Sequence, residues 1–185
     1  MKKANVDLLE YDNSWYKPGS RIKCMLWYFM NILILKNSWI PSSTLRIGVL
    51  KLFGASIGKN VVIKPGVNIK YPWKLRIGNA SWIGERVWID NLDQVTIGAN
   101  VCISQGALIL SGNHNYKTKS FDLMLASITI NDGVWIGAKT VICSGTFIHT
   151  HAVLTVGSVA SGKLDAYSIY KGNPAIKIRE RALIL

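Results

Sequence analysis

From residue 57 onward, the chain places a large aliphatic residue at every sixth position. The residues at this first hexad position form four unbroken series: Ile57, Ile63, Ile69; Ile77, Ile83, Ile89; Ile97, Ile103, Ile109; and Ile130, Ile136, Ile142, Ile148, Leu154. The fifth position is small in most hexads, which gives the set Val61, Val67, Ser81, Val87, Val101, Ala107, Val134, Thr140, Thr146, Ala152 and Ser158. Glycine often fills the second position, as at Gly58, Gly78, Gly84, Gly98 and Gly137.

This pattern is typical of a left-handed parallel β-helix, an all-β fold in which each hexad forms one flat side of a triangular prism. The aliphatic residue stacks on its counterpart in the next coil, the small residue fits near the corner, and backbone hydrogen bonds run between coils. Because three hexads make a coil of about 18 residues, the sequence predicts about five coils over residues 57–165. We expect the glycines at position two to supply backbone angles that other residues resist at a tight turn.

The repeat is irregular at one edge of the predicted prism. Ile57, Ile77 and Ile97 follow one another at 20-residue intervals, whereas Ile97 and Ile130 are 33 residues apart. The excess always follows the third hexad, so residues 113–127 are predicted to project as one long loop from that edge. A long loop in a compact repeat usually has a function.

The repeat is flanked by segments without hexads. Residues 1–56 are predicted to form an N-terminal arm with capping helices, and residues 166–185 a C-terminal tail. The stretch SSTLRIGVLKLFG predicts a helix that begins at Ser42 or Ser43, ends at Gly54 and shields the open edge of the first coil.

The apolar run CMLWYFMNILIL has 12 residues, and a bilayer-spanning helix needs about 20. Two interpretations stay open for residues 22–36: a buried or cap-forming helix, and a peripheral helix that lies in the membrane interface.

Charge narrows the choice of partners. The 185 residues include 22 Lys plus Arg and 10 Asp plus Glu, a net charge of +12, which favours nucleic acid, an anionic bilayer or a phosphate-rich cofactor. Basic residues near the C-terminus form either a solvated face or a phosphate clamp. The charge is accompanied by no nucleic-acid recognition motif, so we expect no nucleic-acid partner. Three cysteines at unrelated spacings favour the reducing cytoplasm, at the inner face of the membrane if residues 22–36 contact lipid.

The stretch SGNHNYKTKS, which interrupts the hexads, contains the best candidate for catalysis, His114. An imidazole titrates near neutrality, so it can accept a proton from a hydroxyl group. The polar surroundings of His114 favour a catalytic role over packing, and we expect a nearby carbonyl or acidic side chain to hold its other nitrogen.

Other reactive side chains are weaker candidates for metal binding or catalysis. The spacing of His149 and His151 does not support a metal site with His114, so no metal is expected. Cys102 and Cys143 lie within hexads with no base beside them, which favours packing over a nucleophilic role.

At this point the residues resemble a known family. The hexads, the segment VWIGAKTVI, the NH pair at the head of the loop and KGNPAIKIRER are similar to hexapeptide-repeat acyltransferases. Within that group, YDNSWYKPG, LKLFGASIGKNVVIKPGVNIKYPWKL, GNHNY followed by SFDL, and GNPA resemble the colanic-acid-biosynthesis type of sugar O-acetyltransferase. The resemblance covers nearly the whole chain.

The resemblance implies that acetyl-CoA donates an acetyl group to a hydroxyl of a sugar or glycan in exopolysaccharide, capsule or other surface-glycan biosynthesis. It also implies a homotrimer with each active site between neighbouring prisms. His114 matches the family's catalytic base, and Asp12 resembles the acidic residue near the acceptor. Asn113 and Tyr116 belong to the same loop motif and are expected to bind the acceptor.

The resemblance also implies cofactor-binding positions. These are Trp135, Gly137 and Ala138 along the pantetheine arm, Val156, Ser158, Ser161 and Arg179 near the pantetheine and nucleotide, and Lys171 and Asn173 beside the adenine. The family's Thr-Lys-Asp is replaced by Ser161-Gly162-Lys163, which displaces the phosphate-binding lysine by one position to Lys163.

Two alternatives remain open from the sequence. The enzyme could acetylate another acceptor, such as an antibiotic, an amino sugar or a nucleotide sugar, since the fold does not settle the substrate. The chain could also be a non-catalytic β-helix scaffold.

Overall fold

The structure, a computed structural model, describes residues 5–184. An N-terminal arm with a short 3-10 turn at Leu8–Glu10 leads into helix α1, Arg21–Met30, which continues as a π-helical segment, Asn31–Leu35. Helix α2, Ser43–Leu52, follows and precedes the strands. Within residues 5–184, no helix has the length and apolar character needed to cross a bilayer.

Short parallel strands form the three sides of a prism. Side A contains β1 Ser56–Ile57, β4 Leu75–Ile77, β7 Val95–Ile97, β12 Ile128–Ile130, β15 Phe147–Ile148 and β18 Lys163–Leu164. Side B contains β2 Val62–Ile63, β5 Trp82–Ile83, β8 Cys102–Ile103, β13 Trp135–Ile136, β16 Val153–Leu154 and β19 Ser168–Lys171. Side C contains β3 Asn68–Ile69, β6 Trp88–Asp90, β9 Leu108–Leu110, β14 Val141–Ile142 and β17 Val159–Ala160.

The register of side A follows the hexads. Ile57 pairs with Ile77 and Ile77 with Ile97, and the 33-residue interval is bridged by the pair Ile97 and Ile130. Five strands on side C and six parallel strands on each other side give five complete coils and two sides of a sixth. The prediction of about five coils is therefore confirmed, and the stack continues through β19 to Lys171.

The core of the prism is the set of residues that the hexads single out. Every first-position aliphatic residue is buried, from Ile57 at 8% exposure to Ile63 and Ile136 at 0%. The small fifth-position residues are buried as well, with Thr140 and Ser158 at 0%. Burying one such aliphatic side chain stabilises a fold by about 1.5–3 kcal/mol, so the repeat carries most of the stabilisation.

The expected reason for glycine at position two is wrong. The left-handed backbone angle falls at position four of the hexad, for example at Asn60, Ala80 and Asn100, with φ of 55–57°. Glycine is needed at position two because the coils approach closely: a Cβ on Gly78 would lie 2.5 Å from the backbone nitrogen of Ala99.

The corner between sides C and A is built differently from the other two. Here Asn91 and Ser111 are fully buried polar residues. The Asn91 amide donates to the carbonyls of Tyr71 and Lys74, and the Ser111 hydroxyl accepts from the backbone N–H of Asp93. These bonds pair backbone groups that the extra residues of each coil leave free.

Helix α2 shields the first coil, as the sequence predicts. The Ser42 hydroxyl caps the helix by accepting from Leu45 N–H, and the Ser43 hydroxyl accepts from Ile63 N–H on the open edge of β2. Helix α1 covers the neighbouring strand: Trp27 is buried, and its indole N–H donates to the Ile69 carbonyl at 2.9 Å.

At the other end of the prism, β20, Ile176–Glu180, pairs antiparallel with β19. The Arg181 guanidinium then donates to the carbonyls of Gly133 and His151 at 2.9 and 3.0 Å. These two bonds tie the end of the chain to coils that precede it.

Candidate active site

The segment that interrupts the repeat is a β-hairpin. Strands β10, Gly112–His114, and β11, Leu123–Leu125, pair antiparallel, with His114 opposite Leu123. The hairpin leaves the prism after β9, at the corner between sides C and A, and returns to side A at β12. His114 thus lies at the end of a paired strand, which restricts its backbone more than an open loop would.

The imidazole of His114 is held from one side. Its Nδ1 lies 3.0 Å from the Phe121 carbonyl oxygen, and the two rings stack with centroids 4.5 Å apart and planes at 8°. A carbonyl oxygen can only accept, so Nδ1 carries the hydrogen and Nε2 is left with its lone pair. Half-buried His114 therefore presents the nitrogen that a general base uses.

The N-terminal arm packs against this hairpin. Asp7 N–H donates to the Lys119 carbonyl at 2.9 Å. The Lys119 ammonium lies 2.5 Å from Glu10 Oε1 and 3.6 Å from an Asp7 carboxylate oxygen. The arm continues to Tyr11, whose ring lies 5.8 Å from that of His114.

Arm, hairpin and prism together enclose an open cleft of about 390 Å³. Aromatic and polar side chains share its wall, which consists of Tyr11, Asn13, Tyr16, Pro18, Lys70, Tyr71, Leu92, His114 and Leu123. Aromatic faces with hydrogen-bonding groups at their edges suit a ligand that has apolar C–H faces and hydroxyl groups.

The backbone carbonyl of Leu92, which lines the cleft, binds two side chains. The Leu92 oxygen accepts from the Tyr16 hydroxyl and from the Lys74 ammonium, both at 2.6 Å. Burial raises the pKa of Tyr16 and lowers the pKa of Lys74. Both shifts favour the neutral forms, because burial disfavours a charge on either group.

Among residues 5–184, the lining of the cleft includes none of the predicted acceptor residues Asp12, Asn113 and Tyr116. Asn113 accepts the His114 N–H on its side-chain oxygen, and Tyr116 is 72% exposed. The Asp12 carboxylate accepts from the backbone N–H and the hydroxyl of Ser14, which lowers the pKa of Asp12.

Sequence reasoning missed the aromatic residues that surround His114. Tyr11 and Tyr16 belong to the YDNSWY motif, which pointed to the arm, but the motif alone does not show which residues of the arm face the hairpin. Phe121, whose carbonyl holds the imidazole, carries no sequence signal other than its place in the interrupting segment.

Three of the predicted cofactor residues lie on or beside side B, in the fourth coil. Trp135 is half exposed on β13, and its indole N–H donates to the Ser104 hydroxyl at 3.0 Å. Gly137 has no room for a Cβ because the Leu154 carbonyl oxygen would be 2.6 Å away. The Ala138 carbonyl accepts from Gly157 N–H, next to 70% exposed Val156.

The remaining cofactor positions are spread over the last coils. Ser158 is fully buried, its hydroxyl accepts from Gly172 N–H, and its carbonyl accepts from Val141 N–H, so in one chain it has no group open to a ligand. The other side chains are exposed: Ser161, Lys163, Lys171, Asn173 and Arg179. Among residues 5–184, the lining of the His114 cleft includes none of the predicted cofactor residues. One chain thus presents the candidate base and the candidate cofactor segment at separate places.

The other candidate side chains have packing roles. His151 stacks on Tyr167 with centroids 4.8 Å apart, and His149 contacts Phe147. Burial raises the pKa of the Cys102 and Cys143 thiols, which disfavours a nucleophilic thiolate. No group of three or more His, Cys, Asp or Glu that could hold a metal ion occurs in the described residues.

Known proteins resemble this chain over most of its length. The "Putative colanic acid biosynthesis acetyltransferase WcaF" of Escherichia coli strain K12 is 36% identical over 168 residues, 90% of this chain and 91% of that protein. The galactoside O-acetyltransferase of the same strain is 30% identical over 138 residues, 73% of this chain and 68% of that protein. No family model matches the sequence.

A solved structure supports the fold. The hexapeptide-repeat acetyltransferase VCA0836 of Vibrio cholerae O1 biovar eltor, complexed with acetyl coenzyme A, gives a TM-score of 0.77 at 20% identity, covering 88% of this chain and 87% of that one. At that identity the likeness shows the fold alone, and it confirms the predicted left-handed β-helix.

Proposed function

Since the chain belongs to the hexapeptide-repeat acetyltransferases, we propose that it transfers an acetyl group from acetyl-CoA to a sugar hydroxyl, with His114 as general base. The observation that carries this assignment is the contact between His114 Nδ1 and the Phe121 carbonyl. It leaves Nε2 unprotonated at the wall of a cleft whose tyrosines suit a sugar.

The reaction follows from this geometry. His114 Nε2 takes the proton of the acceptor hydroxyl while that oxygen attacks the thioester carbonyl, and a tetrahedral oxyanion forms. The Phe121 carbonyl stabilises the imidazolium that results, because its oxygen accepts the Nδ1–H of the charged ring. When the C–S bond breaks, the imidazolium returns the proton to the CoA thiolate. The acetyl group passes directly between the substrates, so both must be bound together.

Acetyl-CoA is proposed to bind along the fourth to sixth coils. Trp135 offers an indole face for the pantetheine arm, and Gly137 adds no side chain beside it. Lys171 and Arg179 are exposed cations on the last coil and on β20, which suits the phosphates. Oxyanion donors would come from backbone N–H groups of this segment.

A homotrimer is the proposed assembly. The cleft around His114 and the cofactor segment are separate in one chain, so a base from one prism would act on acetyl-CoA held by its neighbour. Three chains in a closed ring repeat this arrangement at every contact. We place the reaction in the cytoplasm, where acetyl-CoA is available.

The acceptor is proposed to be a sugar or glycan of exopolysaccharide, capsule or other surface-glycan biosynthesis. The two similar proteins are named for colanic acid biosynthesis and for a galactoside. The combination of Tyr11, Tyr16 and Tyr71 with Lys70 and Asn13 in the cleft agrees with such an acceptor.

The test is thiol release from acetyl-CoA in the presence of a panel of sugars, nucleotide sugars, amino sugars and chloramphenicol. We expect a sugar hydroxyl to be acetylated, and His114→Ala to lower kcat by about 10²- to 10⁴-fold with CoA binding retained. The matched control is His149→Ala, which removes a histidine that contacts Phe147. Near-normal turnover in a folded His114→Ala variant would remove the mechanism. Turnover with only an amine or chloramphenicol would remove the sugar assignment.

A further inference from the structure

Helix α1 and its π-helical extension expose an apolar stripe to solvent. Large apolar residues follow one another at helical spacing along the outward side, which we call the outer helix face: Ile22 (68% exposed), Met25 (55%), Leu26 (51%), Phe29 (54%), Ile32 (40%) and Leu33 (57%). A helix normally turns such a stripe toward a core. Here the stripe has no protein partner within residues 5–184.

The opposite side of the helix is fixed to the prism. Trp27 and Leu35 are buried, and Gly66 N–H donates to the Leu35 carbonyl at 3.1 Å. The Asn31 amide donates to the Asn68 side-chain oxygen at 2.7 Å. The helix therefore cannot roll to hide its outer face without breaking these contacts.

The charged residues of the chain segment that carries the outer helix face have one sign. The sequence has no Asp or Glu from residue 13 to residue 84, yet the same stretch has eleven basic residues: Lys17, Arg21, Lys23, Lys36, Arg46, Lys51, Lys59, Lys64, Lys70, Lys74 and Arg76. Arg21 and Lys36 are exposed next to the two ends of the helical segment, and Lys17 and Lys51 are exposed on neighbouring parts of the chain.

Adjacent segments extend the apolar surface. Trp39, in the connection between the helices, is 94% exposed, and Leu52 at the end of α2 is 80% exposed. Aromatic rings and basic side chains around an apolar stripe are the features of helices that lie in a membrane interface.

We propose that the outer helix face docks on an anionic phospholipid bilayer, with the helix parallel to the surface. The segment 21–35 is about 22 Å long at 1.5 Å per residue, and its inner side stays on the prism, so the apolar side chains enter the lipid while the basic residues meet the headgroups. A twofold contact with a second copy fits less well, since it would bring an equally basic segment against this one. The surface does not include His114, so the inference stands apart from the proposed acetyl transfer.

Flotation of the full-length protein with lipid vesicles tests this docking. We expect the protein to float with phosphatidylcholine vesicles that contain about 30% phosphatidylglycerol, and to stay mostly unbound with phosphatidylcholine alone. Leu33→Asp should lower the bound fraction by about fivefold or more, because it places a charge in the lipid-facing stripe. Leu183→Asp is the matched control, since Leu183 is 56% exposed outside the stripe and Leu33 is 57% exposed within it.

A second pair of variants tests the contribution of the basic residues to vesicle binding. Lys36→Glu, beside the stripe, should weaken binding to the anionic vesicles, and Lys139→Glu, an exposed lysine on the fourth coil, should not. Equal flotation of wild type, Leu33→Asp and Leu183→Asp would overturn the proposal, as would absence of binding to anionic vesicles. Loss of an oligomer in Leu33→Asp without vesicle binding by the wild type would show instead that a second copy covers the face. Thiol release with a soluble acceptor measures the proposed acetyl transfer separately from vesicle binding.

Discussion

The Phe121 carbonyl oxygen accepts the Nδ1 hydrogen of His114 at 3.0 Å, while the Phe121 ring stacks on the imidazole at 4.5 Å. Phe121 reaches this position with φ of 53°, in the left-handed region that bulky side chains rarely occupy. Strain of this kind costs about 1–3 kcal/mol and persists only where surrounding contacts hold it. One residue thus sets both the tautomer and the ring plane of the candidate base.

Removing the Phe121 ring should slow catalysis without abolishing it. In Phe121→Ala the carbonyl remains but the stacking, worth about 0.5–1.5 kcal/mol, is lost, so we expect kcat to fall by about 2- to 13-fold with CoA affinity unchanged. Phe147→Ala, which removes the ring beside His149, is the matched control and should leave kcat unaltered. Equal kcat in Phe121→Ala and wild type would show that the stack does not position His114.

Removing the ion pairs that Lys119 of the hairpin makes with the N-terminal arm should weaken binding of the acceptor. Lys119 is half exposed, and exposed ion pairs contribute about 0–1 kcal/mol, so Lys119→Ala should barely change the melting temperature. We expect KM for the acceptor to rise while KM for acetyl-CoA stays constant, because the arm supplies Tyr11 and Asn13 to the cleft. Steady-state kinetics with each substrate varied in turn measure this. Lys119→Arg keeps a positive charge between Glu10 and Asp7 and should keep the acceptor KM near the wild-type value. Equal acceptor KM in Lys119→Ala and wild type would contradict the role of this ion pair.

Alkaline pH should release the arm from the prism. Burial raises the pKa of Tyr16 above its ordinary value of 10.0, so the docked arm holds the neutral phenol while a released arm ionises near pH 10. Docking is therefore favoured below that pH and is progressively lost as pH rises toward the higher pKa of the docked state. Limited proteolysis of the arm between pH 8 and 11 follows the release. Tyr16→Phe should be cut more readily near neutrality, since it loses the bond to the Leu92 carbonyl, and should show a shallower pH dependence.

Two glycine substitutions should act in opposite directions on stability. Gly78→Ala forces a Cβ to within 2.5 Å of the next coil's backbone, and overpacking of this kind costs about 1–3 kcal/mol. Gly48→Ala in α2 meets nothing within 4 Å and should stabilise the fold by about 0.5–1 kcal/mol, because alanine loses less entropy in a helix. Thermal denaturation measures both, and a stable Gly78→Ala variant would mean that the coils can separate locally.

The sequence predicted the core because the hexad is a local period that the stacked coils copy directly. The period alone assigns Ile97 and Ile130 to one stack across 33 residues, and the structure pairs them. The hexad does not reveal why position 78 needs glycine, because the close contact of Gly78 is with Ala99 in the next coil, and a repeat unit does not show how close its neighbour lies.

The candidate site was predictable in part. His114 stood out because it breaks the pattern, but its partners come from segments with no pattern of their own. Tyr11 lies beside the imidazole on an arm that pairs Asp7 with Lys119, a contact between residues more than a hundred positions apart. Such contacts follow from the packing of the whole chain rather than from local residue preferences.

The β-hairpin leaves and re-enters the prism without disturbing the stack, since Val95, Thr96 and Ile97 pair in register with Ile128, Thr129 and Ile130. Lengthening such an excursion adds only a slowly growing chain-entropy penalty. Insertion or deletion can therefore change the hairpin that carries the candidate base, while the stacked coils remain unchanged. Differences in acceptor choice among relatives would then be concentrated in this excursion and in the arm that touches it.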